Sequence, residues 1–241
     1  MTVRRSRTTG GALRLREITD PEDPALASAY ALLRRTFPKN ERVSIDEWRA
    51  TLVERAGKVW TDFSWHLVVA QRGNRVMGLA TGTYIGSVNV GIIGYLAIDP
   101  TMRSGGIGTR IRARLRDRFR SDARKLSGRE LSALLGEVSA DNPWLRRLAR
   151  HPRILVLDVP YFQPGLRPSD EPSPFALYYE AIGRNPQWVA ASELRKILFA
   201  IWRHAYRVSR PLDRAVFRQI IASLDGRRRV GPHPVYQPRR K

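Results

Sequence analysis

The 241-residue chain sets 43 Lys and Arg against 22 Asp and Glu, a formal net charge of +21, and 42% of its residues are hydrophobic. That apolar share suffices for a core and excludes wholesale disorder, and the length suits one generous domain or a domain with an accessory piece. The lack of cysteine excludes disulfides, thiolate nucleophiles and cysteine-ligated zinc.

Residues 1–11 are polar and basic and read as a flexible N-terminus. No apolar stretch follows Arg4, Arg5 and Arg7 before Arg14 and Arg16, so no secretion signal is expected. No run approaches the roughly 20 apolar residues of a membrane span. A cytoplasmic location follows as the expectation. Alternating apolar and charged residues over 12–18 predict a first strand. Pro24 opens a helix through Leu33, and Ser44 and Glu47, at capping-box spacing, open a second that runs to about Ala56. Strands follow over 66–71, 76–85 and 90–98, the first two joined by an Arg72-Gly73-Asn74-Arg75 hairpin turn.

Between 106 and 119 arginines fall at alternate positions, which suggests a strand. Yet Ile107, Ile111, Leu115 and Phe119 recur every four residues, and burial of that face predicts a helix. Further strands are expected over 131–138, 153–159 and 175–182, with a short helix over 142–150. The proline- and glycine-rich 161–174 stretch reads as a long ordered loop or lid. Two amphipathic helices then fit 187–224, packed on the fold or forming a homodimer contact. Residues 226–241, with six basic groups, three prolines and no acid, read as a basic tail.

One segment stands out chemically: Leu96-Ala97-Ile98-Asp99-Pro100, then Arg103-Ser104-Gly105-Gly106-Ile107-Gly108-Thr109. A strand enters a glycine-rich turn that opens a helix, whose first amides are unpaired donors suited to a pyrophosphate. No Gly-Lys-Ser/Thr triplet follows as a Walker A loop requires. The third glycine of a dinucleotide fingerprint would fall at Ile111. Arg103-x-x-Gly106-x-Gly108, with the Leu-Ala-Ile-Asp-Pro before it and the apolar helix after it, resembles the acetyl-CoA signature of the GNAT superfamily of N-acetyltransferases.

The element order matches that family over roughly 12–182. The resemblance implies an α/β (α+β) fold with a mixed, mostly antiparallel central sheet flanked by helices. The chain then divides into an acetyltransferase domain at 12–184, a C-terminal helical extension at 185–225 and the tail. It further implies acetyl-CoA as co-substrate. Arg103, Ser104, Gly105, Gly106, Ile107, Gly108 and Thr109 would bind its pyrophosphate, and the main chain of Leu96, Ala97 and Ile98 its pantetheine and thioester. Asn142 matches a pantetheine-contacting asparagine, and is equally well read as the N-cap of its helix.

Transfer to an amine needs a base, and Glu137, alone in the apolar strand Leu134-Leu135-Gly136-Glu137-Val138, is the candidate; a structural ion pair is its other reading. In the family's ribosomal-protein alanine acetyltransferases the matching glutamate is the proposed base. Two departures stand out. An earlier base position in the family falls on Ile92, and the family's general-acid tyrosine falls near Leu148 and Ala149. Tyr161 is the substitute acid, ahead of Tyr178 and Tyr179.

The four histidines show no metal spacing and read as structural or exposed, so no metal is expected. The six tryptophans read as core. Only five basic residues are lysines, so the charge is mostly arginine, through compositional bias or attraction to polyanions. The acceptor is then an amine on a small molecule, a peptide N-terminus or a lysine, with the basic surface favouring an acidic or nucleic-acid-bound partner. Two alternatives stay open: a catalytically silent fold of this type that binds nucleic acid, and a transferase for longer acyl chains.

Overall fold

The computed structural model describes residues 12–102, 105–167 and 169–237. Strand β1 (Arg14–Ile18) leads into helix α1 (Ala25–Thr36), which buries Ala25, Leu26, Ala29, Leu32 and Leu33 on one face. Helix α2 (Ile45–Ala56) starts at a closed capping box. Ser44 Oγ accepts from the Glu47 N–H at 3.1 Å, and the Ser44 N–H donates to Glu47 Oε2 at 2.5 Å. Strands β2 (Phe63–Arg72) and β3 (Arg75–Ile85) turn tightly through Gly73, whose φ of +56° suits a glycine.

After β4 (Val90–Ile98) the arginine-rich stretch is helical, as its apolar period requires. Helix α3 (Ile107–Ser127) buries Ile107, Ile111, Leu115, Phe119 and Ala123. It lies so close to the sheet that a Cβ on Gly91 would fall 2.2 Å from the Phe119 ring. The chain continues through β5 (Ala133–Val138), α4 (Pro143–Ala149), β6 (Ile154–Val156), β7 (Tyr161–Gln163) and β8 (Ser173–Ala181). The strands form one sheet in the order β1-β2-β3-β4-β5-β8-β6, with β7 also on β8. Every pairing is antiparallel except β4 with β5.

Alternation along the strands divides the core between two faces. Leu134 packs with α3, whereas Leu135, Leu177 and Tyr179 join the C-terminal elements. Those elements are β9 (Val189–Ala190), α5 (Ala191–Ala200), a π-helical turn (Ile201–Ala205), α6 (Ala215–Ala222) and β10 (Arg229–Val230). Leu194, Ile197, Leu198, Trp202, Phe217 and Ile220 are buried in this same cluster, so the segment after 185 shares its core with the sheet.

The reading of 226–241 as a tail is corrected over 226–237. β10 pairs with β9, the His233 N–H donates to the Val156 carbonyl at 2.7 Å, and the Val156 N–H donates to Gln237 Oε1 at 2.8 Å. Gln237 Nε2 donates in turn to the carbonyls of Ala149 and Ile154 at 2.7 and 2.8 Å. This segment satisfies the outer edge of β6, which would otherwise present unpaired backbone. Residues 1–11 and 238–241 lie outside the described residues.

His66 is buried between two carboxylates, with Nδ1 at 2.6 Å from Glu17 Oε1 and Nε2 at 2.6 Å from Asp122 Oδ2. Burial opposes its charge, but the two carboxylates prevail and raise its pKa. Hydrogen bonds from His66 and Arg55 outweigh burial at Glu17 and lower its pKa to about 2. A raised histidine stabilises the fold fully below its ordinary pKa, about 6.5, and ceases to as pH climbs through the folded value. His66→Gln is therefore expected to cost about 3 kcal/mol at pH 6 and to flatten the alkaline decline of Tm. An undiminished decline would show that another group drives it.

Candidate active site

The site forms where the sheet departs from regular pairing. Ala80 pairs with Leu96 but Gly82 with Ile93, so β4 carries an extra residue opposite Thr81, a β-bulge. Thr81 Oγ1 accepts from the Tyr95 N–H at 3.0 Å and steadies it. β4 and β5 pair only from Val90 with Ala133 to Ile93 with Gly136. Beyond that point β5 stays with β8 as far as Val138, and among the described residues no strand takes its place beside β4. The sheet opens here, leaving the main chain of Leu96, Ala97 and Ile98 unpaired on that side.

Glu137 is the first side chain of β5 past the parting. It lines a cavity of about 280 Å³ enclosed by α2, β3, β4, the loop after β7 and the π-helical turn. Tyr161 Oη donates to Glu137 Oε1 at 2.5 Å, and Tyr206 Oη donates to Oε2. Burial pushes the Glu137 pKa up to about 7 even though both phenols favour its ionised form. Among the described residues no cation pairs with it, so the ion-pair reading does not hold. Burial beside this carboxylate pushes both phenols well above their ordinary pKa, so they act as donors at neutral pH.

Tyr161, the candidate acid, is buried. It is 1% exposed and absent from the cavity wall; β7 pairs with β8, and the Tyr161 hydroxyl is engaged by Glu137. Tyr206, which the sequence reading missed, does reach the wall. The π-helical turn closes with the Tyr206 N–H donating to the Ile201 carbonyl at 3.2 Å. The following residue, Arg207, takes φ +56°. That extra residue in the turn places Tyr206 against the sheet. Tyr178 and Tyr179 are buried at 1% exposure each.

Two of the tryptophans read as core, Trp60 and Trp65, are half-buried on the cavity wall, and Trp188 is exposed with Arg229 stacked 4.0 Å from its ring centroid. His204 also lines the cavity, whereas His66 belongs to the ion network described above. Ile92, at the family's earlier base position, is a buried wall residue, and Leu148 lies on the buried face of α4. Among the described residues no group of three or more His, Asp or Glu is placed to hold a metal, and no helix is long and apolar enough to cross a membrane.

On the other face of the sheet, α3 opens with no capping side chain among the described residues. Gly106 is its N-cap at φ +70°, and the first turn holds no acid. The amides of Ile107, Gly108 and Thr109 therefore have no acceptor within the helix. A Cβ on Gly106 would meet nothing within 4 Å, and one on Gly108 would rest 3.6 Å from Ile98. These glycines leave the helix end open to close approach rather than filling a packing need, which fits an anion such as a diphosphate. Asp99 shapes the approach, accepting from the hydroxyl and amide of Thr101 at 2.7 and 3.0 Å and from Arg75 at 2.8 Å. These donors lower its pKa to about 2. Asn142 Oδ1 accepts from the Trp144 N–H at 3.0 Å, so it caps α4. Arg103 and Ser104 lie outside the described residues.

A mostly antiparallel sheet parted at one parallel pair, beside an uncapped glycine helix start, defines an acetyltransferase type of α/β fold. The chain matches the acetyltransferase (GNAT) family over residues 26–151, more than half its length, and belongs to that family. A putative GNAT-family acetyltransferase from Bacteroides thetaiotaomicron shares the fold at a TM-score of 0.58 and 18% identity, covering 81% of this chain and 99% of its own. A putative GNAT-family acetyltransferase from Desulfovibrio desulfuricans aligns at a TM-score of 0.50 and 14% identity, covering 71% and 100% respectively. No curated protein matches the chain.

Proposed function

We propose that the protein is an acetyl-CoA-dependent N-acetyltransferase that acetylates a primary amine by direct attack on the thioester, with Glu137 as the base. The observation that carries this reading is a carboxylate with a pKa of about 7, held by two phenols at the cavity where β4 and β5 part. The amides of Ile107, Gly108 and Thr109, with Gly105, Gly106 and the adjoining Arg103 and Ser104, would hold the pyrophosphate. Leu96, Ala97 and Ile98 would lend main-chain groups to the pantetheine and to the developing oxyanion, and Asn142 would touch the pantetheine. When bound, acetyl-CoA supplies a carbonyl open to attack and a thiol leaving group.

Glu137, as its carboxylate, takes a proton from the arriving ammonium, directly or through one water. The freed nitrogen lone pair adds to the thioester carbonyl carbon; as the carbonyl re-forms the C–S bond breaks, and the nitrogen's second proton passes to the departing sulfur. Tyr161 and Tyr206 are positioning residues that fix the carboxylate and lower its pKa. A thiol with an ordinary pKa near ~8.5 leaves without a protein acid, consistent with a buried Tyr161.

The test is thiol release from acetyl-CoA as a function of pH. The rate is expected to rise with pH through about 7, as Glu137 becomes a carboxylate. Tyr206→Phe removes a donor that favours the ionised form, so it should move this rising limb upward by about one pH unit. No thiol release with a broad amine panel, or a limb unmoved in Tyr206→Phe, would overturn the assignment.

A further inference from the structure

The cavity differs in chemistry from the chain around it. In a protein of net charge +21, its wall carries, among the described residues, three carboxylates, Glu41, Glu47 and Glu137, and two basic side chains, His204 and Arg207. Arg207 is occupied, meeting both oxygens of Glu54 at 2.7 and 3.1 Å and Thr51 Oγ1 at 3.2 Å. Burial lowers the His204 pKa despite Asp62 nearby, leaving a neutral imidazole at pH 7. Glu47 is engaged in the α2 capping box. Glu41 is half-buried, and among the described residues no arginine pairs with it; burial alone raises its pKa. Arginine balances carboxylates across much of this surface, but here it does not.

Around these carboxylates stand aromatic rings. Trp60 and Phe63 stack at 4.6 Å between centroids, and Trp48, Trp65 and Tyr95 continue the wall. Ring faces attract cations as well as apolar groups. A second observation is independent of the charges. Gln163 lines the cavity at 8% exposure, and among the described residues its side-chain amide has no hydrogen-bond partner. Its amide atoms are not sealed from solvent, so they are free to bond a molecule that enters the cavity. At about 280 Å³, the space falls just below the roughly 300–1,000 Å³ of drug-sized pockets, which suits a small ligand. Arg167 ties two of its walls together by donating to the carbonyls of Lys39 at 3.0 Å and Arg42 at 3.2 Å.

Building on the transferase reading, we infer that this cavity binds a small arylalkyl primary amine as its ammonium ion. The rings take the aromatic body, Glu41 and Glu137 face the charge, and Gln163 supplies one oriented polar contact. The inference runs against the acidic or nucleic-acid-bound acceptor that overall charge suggests, because the field in the cavity is set by its own wall.

Two measurements on the full chain test it. Thiol release from acetyl-CoA is compared for 2-phenylethylamine, glutamate and a short peptide with a free N-terminus. Tryptophan fluorescence is titrated, without coenzyme, with 2-phenylethylamine and its uncharged counterpart 2-phenylethanol. The arylalkylamine is expected to give kcat/KM at least tenfold above the other acceptors. It should quench fluorescence at concentrations about tenfold below the alcohol. Glu41→Gln should raise KM for the amine about tenfold with a smaller effect on kcat, and Glu41→Asp should recover part of the loss. Preference for glutamate or the peptide, equal binding of alcohol and amine, or no quenching would overturn the inference. Binding of the amine without thiol release at any pH would support the pocket assignment and instead sink the transferase reading.

Discussion

Replacing Glu137 by glutamine is expected to lower kcat by about 10²–10⁴-fold, the usual contribution of a positioned base, with acetyl-CoA binding retained. Glutamine keeps the volume and one acceptor for the two phenols but cannot take a proton. The pH profile separates this from a steric defect. The rising limb through about 7 should disappear, leaving a slow rate that climbs only as the amine itself deprotonates in solution. Stability should move the other way. A carboxyl whose folded pKa is raised stabilises the fold below its ordinary value, and that contribution is lost as pH rises through about 7. At pH 8.5, therefore, Glu137→Gln should melt higher than the parent. A variant that loses activity and also melts lower at that pH would point to a structural role.

Glu137 was legible because a lone acid in an apolar strand must either be paired or face a cavity, and the alternation of β5 decides which side it faces. The helical reading of 107–119 likewise followed from what must be buried: Ile107, Ile111, Leu115 and Phe119 fix the element, and the exposed arginines follow it. The start of α2 was legible because Ser44 and Glu47 act locally, over one turn of chain. In each case the deciding interaction lies within a few residues or in a single periodicity.

What escaped depends on distant contacts. Tyr206 reaches Glu137 across 69 residues of chain, through a π-helical turn that no spacing in 187–224 announces. The segment at 226–237 looks like a tail because its side chains are polar and basic, yet it is held by main-chain bonds to β6 and by the Gln237 amide. Composition carries no trace of such pairing. Trp60 and Trp65 were read as core since large rings are usually buried. Only the sheet's opening shows that they wall a cavity. The net charge misleads for a related reason, since +21 describes the surface while Glu41 and Glu137 set the field inside.

The helix start gives a second large effect in which stability and ligand binding separate in sign. Gly108→Asp places a carboxylate in the first turn of α3, which now holds no acid. A Cβ there is accommodated, 3.6 Å from Ile98. An acid near a helix N-terminus stabilises it by about 0.3–1 kcal/mol, and replacing a helical glycine adds to that. The unliganded variant should therefore melt at or above the parent temperature. If these amides bind the coenzyme's pyrophosphate, the new carboxylate competes for the same donors. It also repels the ligand, by about 4 kcal/mol for unit charges 4 Å apart in a partly screened setting. KM for acetyl-CoA should then rise at least about a hundredfold, and the coenzyme should no longer raise Tm. The effect should weaken as salt is added. Unaltered acetyl-CoA affinity in a folded Gly108→Asp protein would mean that the diphosphate is held elsewhere, and the proposed transfer site would lose its donor end.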